Sequence, residues 1–238
     1  MTAAETLDAE LATLLGRAQA LRTLAQALRP PDDLESLSEA LEHWRGRASG
    51  ALAEALERAS RGLAAGRDIL AEEHARLLSG HGGVAVREIV YTDPRHLAPT
   101  ELADVAGFMA AFGLKPLSGP PDHVAAECEL ASWLALKEGY AASEGWSEPR
   151  EVCRSAYERF FQGHLARWLV RFAMRLRAAT VLDFHAAIAD ALELFVRGEA
   201  ERLHIAPTET DPLAPLELLA DDDVLGCAGC PGASAETS

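Results

Sequence analysis

Few residues in this chain have types and spacings that could do chemistry. Cys227 and Cys230, in the run Cys-Ala-Gly-Cys, have the spacing of half a zinc site or of a redox pair. The other two thiols, Cys128 and Cys153, fall in segments with helical periodicity, so a four-cysteine site is geometrically unfavourable. A thioredoxin-like pair needs a strand and a helix around it, and the sequence near 227–230 offers neither. Cys227 and Cys230 are therefore weak metal candidates. His123 with Glu127 one helical turn later, and Glu72 and Glu73 beside His74, each sketch half a metal site. No second pair joins either of them, and no nucleophile, acid and base converge in the pattern. The chemistry on offer is recognition, not turnover.

The residues best placed for recognition are aromatic. Tyr157, Phe160, Phe161, His164 and Trp168 recur every three or four positions and so share one helical face. A stripe of this kind is ordinarily core, and a histidine within it ordinarily bonds to a neighbour. A second group lies in the run Gly-Pro-Pro-Asp-His at 119–123. Pro120 and Pro121 stiffen that loop, Asp122 stands where it can cap a new helix, and His123 then falls in the first turn.

The elements that must position these residues read as helices almost throughout. Leu7, Leu11, Leu14, Leu21 and Leu24 mark a first amphipathic helix stopped at Pro30-Pro31, and Asp32 or Asp33 can cap the next. The pattern continues from Leu52 to Leu78 with Gly50, Gly62 and Gly66 as breaks, and further helices run from Pro99 to Phe112, from about Asp122 to Ala142, and from Ser147 through His164 with a kink at Gly163. The last carries Val181 to Leu203. The segment 79–101 breaks the pattern with Gly, Pro and a few β-branched residues and reads as a connection, not a sheet. The expected architecture is all-α, a single-domain bundle of about eight to ten helices over residues 1–205, with a hinge loop near 115–122. Residues 206–238 hold seven acidic side chains and no Lys or Arg, and read as a largely disordered acidic tail. Within it only the run 216–219, Leu-Glu-Leu-Leu, suits docking as one helical turn.

The 238 residues carry a formal charge of −15, which disfavours nucleic acid and anionic membrane surfaces and suits a partner bearing positive charge. The amino terminus lacks the basic start and apolar run of a signal peptide, and no window reaches about 18 apolar residues. Cytoplasmic localisation, without membrane insertion, is the expectation.

Two runs, GPPDHVAAECELASWLALKEGYA at 119–141 and YERFFQGHLARWLVRFA at 157–173, resemble the TorD/DmsD/NarJ family of molybdoenzyme maturation chaperones. A third, YTDPRHLAPTELADVAGFMAAFGL at 91–114, is similar to the connecting helix of members serving dimethyl-sulfoxide-reductase-type enzymes. Gly119 departs from the pattern, since a charged residue often stands there. The resemblance implies a chaperone and not an enzyme. The client would be the apo catalytic subunit of a molybdenum enzyme, bound at its amino-terminal or twin-arginine signal region before cofactor insertion and export. It further implies a client-peptide site at Pro121, Asp122, His123, Glu127, Tyr157, Phe161, His164 and Trp168. No cofactor of its own is implied, only a transient contact with the client's molybdopterin, and the chain would be a monomer or a helix-exchanged dimer. Arginines of the client could be met by carboxylates such as Asp122 or Glu127. A generic helical adaptor that binds an amphipathic helix of a partner, with no molybdoenzyme client, fits the same residues.

Overall fold

The computed structural model describes residues 3–79, 83–92, 99–115 and 119–208, and these are helical nearly throughout. The order is α1 (Ala3–Ala27), α2 (Leu34–Arg45), α3 (Gly50–Gly62), a 3₁₀ turn at Leu63–Ala65, α4 (Arg67–Leu78) and a one-turn α5 (Ile89–Thr92). Then come α6 (Pro99–Ala111), α7 (Val124–Ser143), α8 (Ser147–Phe160), α9 (Ala166–Ala179) and α10 (Asp183–Leu203). Among the described residues the only β-type pairing is an isolated bridge between Arg87 and His123. The all-α expectation therefore holds. Residues 209–238 of the expected tail, with its Cys227/Cys230 pair, lie outside the described residues, as do residues 93–98 of the third motif and 116–118 of the hinge.

The helices form where the apolar spacing places them. Leu14, Leu21 and Leu24 of α1 turn inward, as does Leu28 just past its end, and the prolines at 30 and 31 prevent its continuation. Asp33 begins α2 as its cap, its carboxylate accepting from the Ser36 N–H at 3.0 Å. Helix α1 lies along α7, α7 along α8, and α10 is sandwiched between α3 and α9. Ser132 on α7 donates to the Ala18 carbonyl at 2.7 Å, fixing the register of the first pair. Gly62, the last residue of α3, meets the start of α10 at Phe184. A Cβ there would stand 2.7 Å from the Phe184 Cα and 2.8 Å from its nitrogen, so only glycine lets the two backbones meet.

The anticipated kink at Gly163 is a widened turn instead. Residues Phe161–Leu165 form a π-helical segment in which the Ala166 N–H reaches back to the Phe161 carbonyl, joining α8 to α9 without a break. Such a bulge inserts one residue into the helix and redirects the side chains on either side. The core runs through this joint: Phe160, Phe161, Leu165, Trp168, Leu169 and Phe172 are all fully buried.

Candidate functional site

The two sequence motifs meet through a buried polar chain. The Trp168 indole N–H on α9 donates to Glu127 Oε2 on α7 at 2.9 Å. Glu127 faces Glu88, whose Oε2 takes the His164 Nδ1–H at 2.8 Å. Glu88 and Glu127 have no exposed surface, and His164 only 2%. Each glutamate also buries an Oε1 without a hydrogen-bond partner, the arrangement expected where one of two facing carboxyls carries a proton. Burial first, then the charge of Glu88, pushes the Glu127 carboxyl well above its usual range. In its protonated form Glu127 would donate to Glu88 and accept from Trp168. The far nitrogen of His164 stands 3.3 Å from Asp104 Oδ2 on α6, without hydrogen-bond geometry. Phe108 closes the same junction edge-on to Phe160 and His164.

Beside this chain, Asp122 corrects the expectation that it caps α7. The cap is His123, whose Nδ1 accepts from the Ala125 N–H at 3.1 Å. Accepting there requires an unprotonated Nδ1; burial, then the nearby Arg29, holds the imidazole pKa below its usual value. Asp122 is wholly buried and receives the Arg87 Nε–H on both oxygens, at 3.0 and 3.2 Å. Backbone pairing supports the link: the Glu88 N–H donates to the Asp122 carbonyl at 3.0 Å, and the Val124 N–H to that of Val86 at 2.9 Å. The single extended stretch before α5 therefore holds the start of α7 in place.

Of the expected client-site residues, Asp122, Glu127, Tyr157, Phe161, His164 and Trp168 are buried. Pro121 and His123 are half-buried, and His123 lines an open pocket of about 210 Å³ with Leu28, Arg29, Pro30, His74, Gly119 and Ala126. Asp122, Glu127, His164 and Trp168 gather into one node, whereas Tyr157 stacks on Phe161 on the far side of the joint and meets Arg17 at 5.0 Å. Sequence reasoning missed Arg87, Glu88, Tyr91 and Asp104. The signal was an Arg-Glu pair inside the apolar run VAVREIVY, where charges stand amid residues that otherwise belong in a core. Tyr91 packs on Trp168, with ring centres 5.1 Å apart.

The metal half-sites are engaged elsewhere. Glu73 accepts from Arg76, Thr180 and the Val181 N–H, tying α4 to the turn before α10, and these bonds hold its carboxyl down at about 2. His74 contacts the Leu28 carbonyl at 3.4 Å. Among the described residues, no group of three or more His, Cys, Asp or Glu side chains could hold a metal ion, and no described helix is long and apolar enough to cross a membrane.

The raised Glu127 carboxyl has a measurable consequence. The native state keeps a proton that an unfolded glutamate, at its usual 4.5, releases, so stability falls as pH rises above that value toward the folded one. Glu127→Gln preserves both hydrogen bonds, with its amide donating to Glu88 and accepting from Trp168, and removes the titration. Urea denaturation at about pH 5 and about pH 8 should show the variant gaining on the wild type at the higher pH. Parallel pH dependences would mean that Glu127 is ionised in the fold.

The node is an internal bonding network that ties helices together, and the comparisons identify the scaffold that carries it. The chain belongs to the nitrate reductase delta subunit family, the NarJ/TorD-type chaperones, whose model matches residues 34–174. Membership in that family makes it a non-catalytic protein. It is 36% identical over 83 residues to the selenate reductase assembly chaperone protein of Thauera selenatis. That stretch is 35% of this chain and 41% of the relative.

Proposed function

We propose that this chain is a dedicated cytoplasmic maturation chaperone for a molybdenum enzyme. It binds the apo catalytic subunit at its amino-terminal or twin-arginine signal region and holds it until the cofactor is inserted. The observation that supports this reading is family membership across residues 34–174, the stretch that contains every member of the buried node. The Thauera selenatis relative is by name an assembly chaperone for selenate reductase, and the role carried to this chain is the same in kind. The node contributes rigidity: α5, α7 and α9 are bolted together under the His123 pocket, so a client meets a preformed surface. The molybdopterin comes with the client, and this chain at most touches it in passing.

Affinity capture from the native cytoplasm tests the reading. The expected prey is one molybdoenzyme catalytic subunit, largely free of molybdenum, and its capture should fail once its amino-terminal region is removed. Capture of unrelated helical proteins, with no molybdoenzyme subunit among them, would favour a general adaptor instead.

A further inference from the structure

The outward face of α7 carries aromatic residues that the core does not use. Trp133, Leu136 and Tyr140 follow one another at helical spacing and are 37%, 38% and 51% exposed. Trp146, 48% exposed, packs edge-on against Tyr140 at 5.6 Å. Leu15 of α1, 45% exposed, widens the strip, since the bare Gly139 leaves room for its methyl beside α7. Traced backwards, the same face passes Glu129 and Ala126 to the His123 pocket. From His123 to Tyr140 is roughly 26 Å at ~1.5 Å per residue, the span of one medium-length helix. Exposed tryptophan and tyrosine in one strip are the composition of a binding surface.

The charges along this strip are graded. Past Tyr140 stand Glu144 and, in the first turn of α8, Glu148; Asp8, two turns before Leu15 on α1, is exposed on that side too. Mid-strip, Lys137 is stacked over Trp133 at 5.6 Å, and at the His123 end stands Arg29, paired with Glu129 at 2.6 Å. The buried carboxylates cannot take an incoming cation in this arrangement, because Asp122 is engaged by Arg87 and Glu127 by Trp168 and Glu88.

We propose that the α7 face docks one apolar helix with a cationic amino end, lying antiparallel to α7. The cations meet Glu144 and Glu148, and the apolar run covers Tyr140, Leu136 and Trp133. The helix dipole agrees with this direction, since its positive end would face the acidic end of the strip. The inference rests on the proposed signal-region client and says where that segment lies.

The test uses full-length protein and a synthetic peptide of two arginines followed by a Leu/Ala run, titrated calorimetrically. Trp133→Ala and Tyr140→Ala should each weaken binding roughly tenfold or more, with helical content unchanged because both side chains are exposed. Glu144→Lys should weaken it further at low salt than at high salt. Equal affinity in all variants overturns the docking face while leaving the chaperone reading intact. No binding by the wild type, alongside capture of the client subunit, overturns both this face and signal-region recognition. A sedimentation change caused by Trp133→Glu without peptide overturns it in favour of a self-interface.

Discussion

Replacing Trp168 by alanine is expected to cost about 3–5 kcal/mol, a large share of the stability of a domain this size. The indole is wholly buried against Tyr91 and Phe172, so its removal leaves a cavity between α9 and α5. It also strands Glu127, whose Oε2 loses its donor deep in the core. Trp168→Phe separates the two effects, since it keeps most of the ring and loses only the N–H, and should cost clearly less. Urea denaturation followed by far-ultraviolet circular dichroism measures both. A Trp168→Ala protein that melts like the wild type yet loses its client would make the indole a contact residue and not a packing one.

How much of this was legible in the sequence depends on the range of the interaction. The spacing of Leu14, Leu21 and Leu24, the prolines after α1 and the Asp33 cap are local rules, and the helices follow them. The local rule that misled was capping. Asp122 sits where a cap belongs, but Arg87, thirty-five positions earlier, claims both its oxygens and leaves the cap to His123. Nothing near residue 122 announces that partner. Glu127 likewise reads as a surface charge one turn from His123, and only Glu88 and Trp168, from two other segments, make its burial tolerable. The exposed strip was hidden for the opposite reason. The run ELASWLALKEGYA is apolar on most of its circumference, so periodicity does not say which aromatic residues face water until α1 and α8 occupy the other sides.

The Arg87–Asp122 pair should be the second most sensitive point of the fold. Asp122 has no exposed surface, while Arg87 is 39% exposed, so water can compensate a lone arginine but not a lone aspartate. Arg87→Met is accordingly predicted to cost roughly 3 kcal/mol, toward the lower end for a broken buried pair. Asp122→Asn alone should cost less, because a neutral amide can be buried and still accept from the guanidinium. In Arg87→Met/Asp122→Asn the stranded charge is gone, and the double variant should be more stable than Arg87→Met by itself. Arg87→Lys does not restore the wild type, since the donor that meets both oxygens is the Nε–H part-way along the arginine side chain, and a lysine carries no donor at that position. Denaturant midpoints for the four proteins decide the matter. If the double variant is the least stable, the packing of the arginine stem matters more than its charge. The start of α7, with the His123 pocket beside it, would then be held by shape and by backbone pairing to residues 86 and 88.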